Sequence, residues 1–147
     1  MISRAEEIAR NAHAGQVDKS GKDYWTHPQR VAGYTAETSL PEPERTKAVA
    51  AAWLHDVLED TEVTESELRR EFPADVVDAV VALKRVSREK PDDYYDRVKA
   101  NRLALAVKEA DIRDNTDPAR TSQLPDEVRT RLAAKYAHAR EVLGLSS

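Results

Sequence analysis

The chain has 147 residues, with 27 acidic side chains against 23 Lys and Arg, a net charge of −4, and 40% apolar residues that include 22 alanines. This is the size of one ordinary domain, and with only 29 Leu, Ile, Val and Phe residues its core is thin. The lack of cysteine excludes disulfides, thiolate zinc sites, iron–sulfur clusters and a cysteine nucleophile; the longest apolar run, Ala48–Leu54, is too short for a membrane span; and the acidic balance offers no basic footprint for a nucleic-acid polymer.

Helix formers dominate and no stretch alternates with period two. Ser3 with Glu6 predicts a capping box that opens a helix to about His13. The polar segment from Gly15 to Asp23, with two glycines, predicts a loop. Pro28 suits the first turn of a second helix over 28–38. After the breaker at Leu40–Glu44, a third helix is predicted from about Glu42 to Glu59, with Val49, Ala52, Trp53 and Val57 inward. Thr64 and Glu67 form a second capping box, opening a short helix that ends near Pro73. Asp75–Arg85 carries a helical apolar stripe, Pro91–Ala100 and Asn101–Asn115 follow as helices, Pro118 and Pro125 bracket a turn, and Glu127–Leu143 closes the series before Gly144. With no repeat and no linker, residues 1–147 are expected to form a single all-α domain, a compact irregular multi-helix fold rather than an up-down bundle.

The informative string is Trp53–Thr61, WLHDVLEDT. On one helix, His55, Asp56, Glu59 and Asp60 share a broad face over two turns. Two readings fit such a face. One is a solvated acidic helix end beside an ordinary buried histidine. The other is a divalent-metal site, because a cation relieves the repulsion of crowded carboxylates and both imidazole and carboxylate are ligands for it. His27, before a proline at a helix start, and Asp111, bordering the apolar side of its helix, extend the second reading. A buried aspartate needs a partner or a metal. Two histidines and two aspartates from three helices then make a mixed N/O set, with Glu59 and Asp60 beside it to orient water or carry its proton.

Three segments, AHAGQVDKSGKDYWTHPQRVA (Ala12–Ala32), AAWLHDVLEDT (Ala51–Thr61) and VKEADIRDN (Val107–Asn115), resemble in order the motifs of small HD-domain hydrolases. The likeness is to the hydrolase domain of the Rel/SpoT stringent-response enzymes and to stand-alone small alarmone hydrolases, and it spans nearly the whole chain. The resemblance implies an HD-domain fold in which His27, His55, Asp56 and Asp111 ligate one metal, usually manganese, and Glu59 and Asp60 hold and activate the attacking water. It implies hydrolysis of the 3′-pyrophosphate of (p)ppGpp to GDP or GTP plus pyrophosphate, by a cytoplasmic enzyme whose partner is a small phosphorylated nucleotide, with no nucleic-acid polymer and no membrane. It assigns substrate contacts to Lys19, Asn115 and Tyr136. The sequence departs from the family at Asp18, where an arginine is usual, at Asp23, where a proline is usual, and at Lys84, where threonine is frequent. Asp18 leaves two alternatives open: hydrolysis of another phosphoester such as a 5′-nucleotide or dNTP, and a catalytically idle metal-bound binding module.

Other singled-out residues carry plainer expectations. His13 and His138 are expected to be structural or surface histidines, and Trp53 core. Trp25 is expected either to plug the core or to stack on a base. Lys19, Lys22 and Arg30 suggest a phosphate-binding cluster, and at least one of Lys108 and Arg113 is expected to face solvent.

Overall fold

The structure, a computed structural model, describes residues 1–145. The helices run α1 (Ile2–Ala12), α2 (Thr26–Thr35), α3 (Glu44–Leu54), α4 (Val57–Asp60), α5 (Glu65–Glu71), α6 (Ala74–Leu83), α7 (Pro91–Lys99), α8 (Arg102–Asn115), α9 (Pro118–Thr121) and α10 (Asp126–Leu143). Among the described residues no strand forms, and one antiparallel bridge joins Val17 to Asp23. The expected all-α architecture is what the chain adopts.

Helix α3 is the axis of the fold. Its residues 48–54 are buried all round, and α1, α2, α6 and α8 pack about it. A helix apolar on every side belongs in a core. Ala48, Ala50, Ala51 and Ala52 are fully buried, so small side chains let the surrounding helices approach closely. This is how a chain poor in large aliphatics still closes a core. Leu54, Leu68, Ile112, Leu143 and a set of valines supply the bulk. Trp53 is in this core, as expected.

Several local signals act as read. Thr64 caps α5 by accepting a hydrogen bond from the Glu67 amide at 3.2 Å. The Asn101 side chain accepts from the Ala104 amide at 3.0 Å to start α8. Gly144 ends α10 in the left-handed region, at φ 73°. Other signals do not. Met1 stands at the cap of α1 and Ser3 lies inside the helix, so no Ser3–Glu6 box forms; the Glu6 carboxylate accepts instead from Arg10 at 2.8 Å. The segment between Pro118 and Pro125 holds a short helix rather than a bare turn, capped by the Asp117 side chain.

The predicted third helix is the main correction. It breaks at His55–Asp56 and restarts as α4. The His55 ring donates from Nδ1 to the Ala52 carbonyl at 2.7 Å. A continuous helix would give that carbonyl to the Asp56 amide. His55 and Asp56 therefore stand at a joint between two helices rather than on one continuous face.

Candidate active site

The joint between α3 and α4 meets the first turn of α2 and the middle of α8, which brings four side chains together. The Nε2 atom of His27 lies 2.8 Å from Asp111 Oδ1 and 3.8 Å from Asp56 Oδ2. The Nε2 atom of His55 lies 3.1 Å from Asp56 Oδ2 and 3.3 Å from Asp111 Oδ1. The four sequence-predicted residues are therefore brought together, with atoms of His27, His55 and Asp111 within 4.8 Å of one another and Asp56 Oδ2 beside the two histidines. His27, His55 and Asp111 are buried and Asp56 is half-buried.

The opposite edge of each ring is already used. The Nδ1 atom of His27 donates to Asp114 Oδ2 at 2.6 Å, and that of His55 to the Ala52 carbonyl. With Nδ1 as the protonated nitrogen, the neutral rings offer Nε2 as a bare lone pair. A lone pair facing carboxylate oxygens is stabilised by a proton or a metal cation between them, and His27 Nε2 lies at hydrogen-bond distance from Asp111 Oδ1. His55 Nε2 is fully buried and no hydrogen-bond partner aligns with it, although two carboxylate oxygens are close. An orphaned ring nitrogen among carboxylates fits a divalent ion, which takes nitrogen and oxygen ligands together.

Lys108 supplies part of the positive charge in the ion-free protein. Its amine is buried and donates to Asp111 Oδ2 at 3.0 Å. Burial disfavours the charged Lys108, but attraction to Asp111 outweighs this and raises its pKa. Burial likewise opposes ionisation of Asp111, and Lys108 together with the two histidines holds its carboxyl well below the usual range. Burial also disfavours the charged histidines. Hydrogen bonds to Asp111 and Asp114 raise His27 nonetheless, and the Asp56 carboxylate, with Asp111, raises His55 well above its ordinary value. Without an ion, protons hold this site together.

Above the four groups opens a cleft of about 360 Å³, walled by Asp18, Lys19, Tyr24, Arg85, Tyr94, Arg120 and Tyr136 among others. Glu59 and Asp60 stand in its wall, with ligand atoms of Asp56, Glu59 and Asp60 within 4.8 Å of one another. Glu59 Oε1 accepts from the Arg85 amide at 2.8 Å. Asp60 is pushed up to about 6 by partial burial and by the charges of Asp56 and Glu59. Lys19, Asn115 and Tyr136 also line the cleft, and Asn115 Nδ2 lies 3.3 Å from Asp111 Oδ1.

The profile of the HD domain family matches residues 5–134. The chain belongs to the HD-domain family. This HD-domain chain is 45% identical over 83 residues to the guanosine-3′,5′-bis(diphosphate) 3′-pyrophosphohydrolase of Haemophilus influenzae, a stretch covering 56% of the chain and 12% of that relative. It is 34% identical over 142 residues to the bifunctional (p)ppGpp synthase/hydrolase SpoT of Escherichia coli, covering 90% of the chain and 20% of the relative. The match to the GTP pyrophosphokinase of Myxococcus xanthus is 32% over 162 residues, covering 99% and 21%. The HD-domain chain thus spans a fifth or less of the length of the first two relatives, and about a fifth of the third. A solved structure described as a metazoan ortholog of SpoT that hydrolyzes ppGpp superposes with a TM-score of 0.79 at 20% identity, covering 97% of this chain and 84% of that one. At that identity the likeness is one of fold.

The HD-domain site also contains residues that sequence reasoning missed. Asp114 is fully buried and ties His27 to two guanidiniums, accepting from Arg30 Nε at 2.7 Å and Arg120 Nη1 at 2.7 Å. Arg120 also reaches Asp18, with Nη2 3.5 Å from Oδ2. Tyr24 and Lys108 complete the set. The position of Asp114, three after Asp111 on a helix, was the available signal. The expected Lys19–Lys22–Arg30 cluster does not form: Lys19 alone of the three lines the cleft, and Arg30 is held by Asp114. Trp25 is not in the cleft wall; it is half-buried, with the Arg10 guanidinium 4.1 Å over its ring. Of the pair beside Asp111, Arg113 is the exposed one, stacked on Tyr34 and paired with Glu37. His13 is fully buried with Nδ1 on Gln16, and His138 is exposed against Asp92.

Proposed function

We propose that this chain is a metal-dependent phosphohydrolase that removes the 3′-pyrophosphate of (p)ppGpp, leaving GDP or GTP and pyrophosphate. The observation that carries this is the convergence of His27, His55, Asp56 and Asp111 at the floor of a cleft walled by Glu59 and Asp60. The activities for which the relatives are named support the substrate. The four groups would hold one divalent ion, with Mn²⁺ as the proposed occupant, and the proposed setting is the cytoplasm, where phosphorylated nucleotides turn over. When bound, the ion supplies positive charge against the phosphoryl oxygens and acidifies water beside it.

The chain's own residues divide the remaining work. Glu59, fixed by the Arg85 amide, orients the attacking water. Asp60, with its carboxyl raised to about 6, takes the water's proton near neutral pH. Water oxygen bonds to the phosphorus on O3′, the P–O3′ bond breaks, and the ribose oxygen takes a proton to become the 3′-hydroxyl. Lys19 and Tyr136 in the cleft wall bind the nucleotide, and Asn115 binds it while holding Asp111.

The test is chromatographic product analysis with Mn²⁺ on ppGpp, 5′-nucleotides and dNTPs. Wild type is expected to release pyrophosphate from ppGpp and Asp56→Ala to release none. If wild type releases nothing that Asp56→Ala fails to release, the enzyme reading goes. A second reading, hydrolysis of a different phosphoester, draws on the Asp18 carboxylate in the cleft wall. Faster turnover of a 5′-nucleotide than of ppGpp would favour it.

A further inference from the structure

Tyr24 sits at the centre of the site without a role in the reaction described above. Its hydroxyl donates to Asp56 Oδ2 at 2.5 Å. That oxygen is the one turned toward the two histidines, 3.1 Å from His55 Nε2 and 3.8 Å from His27 Nε2. A carboxylate on a two-bond stem rotates unless something holds it, and the other three converging groups are each fixed by a bond behind them. His27 is held by Asp114, His55 by the Ala52 carbonyl, and Asp111 by Lys108. For Asp56, the phenol of Tyr24 makes the hold.

Tyr24 is itself placed firmly. Its ring lies between those of His13, with centroids 4.9 Å apart, and His27, at 5.7 Å. Its amide donates to the Gln16 carbonyl at 2.9 Å. Gln16 in turn receives or donates at both ends of its side chain, to His13 Nδ1 at 2.9 Å and to the Asp60 carbonyl at 3.0 Å. The loop from His13 to Tyr24 is therefore braced against the end of α4 and aims one hydroxyl into the α3–α4 joint.

We propose that Tyr24 is a positioning residue that aims Asp56 Oδ2 at the metal point, with His13 and Gln16 as its brace, so that removing one hydroxyl weakens ion binding without disturbing the fold. This rests on the reading of Asp56 as a metal ligand. Hydrogen-bond partners of ligating groups typically affect metal affinity by roughly 10–100-fold.

The experiment is calorimetric titration of the full chain, stripped of ions, with MnCl₂, for wild type, Tyr24→Phe and Gln16→Ala, with Asp56→Ala as the ligand control. Phenylalanine keeps the ring and its packing between the histidines, so a purely structural role would be retained. Expected are one Mn²⁺ per wild-type chain, a Kd weakened roughly 10-fold or more in Tyr24→Phe, a smaller loss in Gln16→Ala, and an unchanged far-ultraviolet spectrum in both. At saturating Mn²⁺ the turnover of Tyr24→Phe should return toward wild type, because the defect lies in holding the ion. Equal or tighter binding by Tyr24→Phe overturns the role of Tyr24 alone. Failure of wild type to take up Mn²⁺ overturns the metal reading, and this inference with it.

Discussion

Asp111 illustrates how much one buried carboxylate is asked to do. It faces both histidines and neutralises Lys108, whose amine is sealed from water. Removing one partner of a buried pair leaves the other charge uncompensated, at about 3–5 kcal/mol. Asp111→Ala should therefore abolish Mn²⁺ binding and also destabilise the ion-free chain by about that amount in urea unfolding. Adding Lys108→Met should recover much of the stability and none of the metal binding. A double variant that stays as unstable as the single one would show that Lys108 is not the stranded charge. Glu59 makes the contrasting case. It lies outside the four converging groups, so Glu59→Ala should keep Mn²⁺ affinity in calorimetry while losing turnover by roughly 10²–10⁴-fold.

The protons at the site set a pH dependence with a definite sign. In the ion-free protein His27 and His55 are raised above their ordinary values by neighbouring carboxylates that outweigh burial. Their contribution to stability is present in full below the unfolded histidine pKa of about 6.5 and is lost as pH rises through the raised folded values. A divalent ion needs the neutral Nε2 lone pairs, so it competes with those protons. Mn²⁺ affinity should rise with pH above about 6.5, with proton release on binding. Titrations in two buffers of different ionisation enthalpy measure that release, and its absence would contradict the protonated ion-free site.

Among the elements, α3 carries the largest share of the fold. Its buried alanines face four helices, and close packing leaves no room for a larger side chain. Ala51→Leu should cost about 1–3 kcal/mol, read as a lower thermal midpoint. The same helix shows why a spacing argument succeeded on the wrong geometry. One continuous helix would put His55, Asp56, Glu59 and Asp60 on a shared face. The break after Leu54 instead turns His55 and Asp56 toward α2 and α8, while Glu59 and Asp60 stay beside them through α4. The grouping was legible because residues within a six-position stretch can hardly separate in space. The break was not, because it depends on a ring nitrogen taking a backbone carbonyl. Capping shows the same split: Thr64 caps α5 as its local pattern says, whereas Ser3 yields because α1 begins before it.

For the molecule as a whole, the ion is expected to act as a fold ligand. A ligand that binds only the native state at 100 times its Kd stabilises it by about 2.7 kcal/mol. For a chain of this size that corresponds to a rise in thermal midpoint of roughly 5–11 °C. Scans with excess Mn²⁺ and with chelator should differ by that much, and Asp56→Ala should show no difference. Coincident curves for wild type would argue against a resident ion.

What the sequence determined by itself was the helical class, most helix positions and the identity of the convergent residues. Periodicity and capping are local, and the HP, HDxxED and ADxxxN strings are short enough to survive without their surroundings. Tertiary structure decided everything that depends on residues distant in the chain. It paired Tyr24 with Asp56 across 32 positions and His27 with Asp114 across 87. It also buried Lys108 against Asp111, tied Asp18 to Arg120, and denied Arg30 to the cleft. The net charge of −4 gave no hint of this. Whether a carboxylate is a solvated surface charge or part of an anionic floor depends on which helices pack against it, and that is a property of the folded chain.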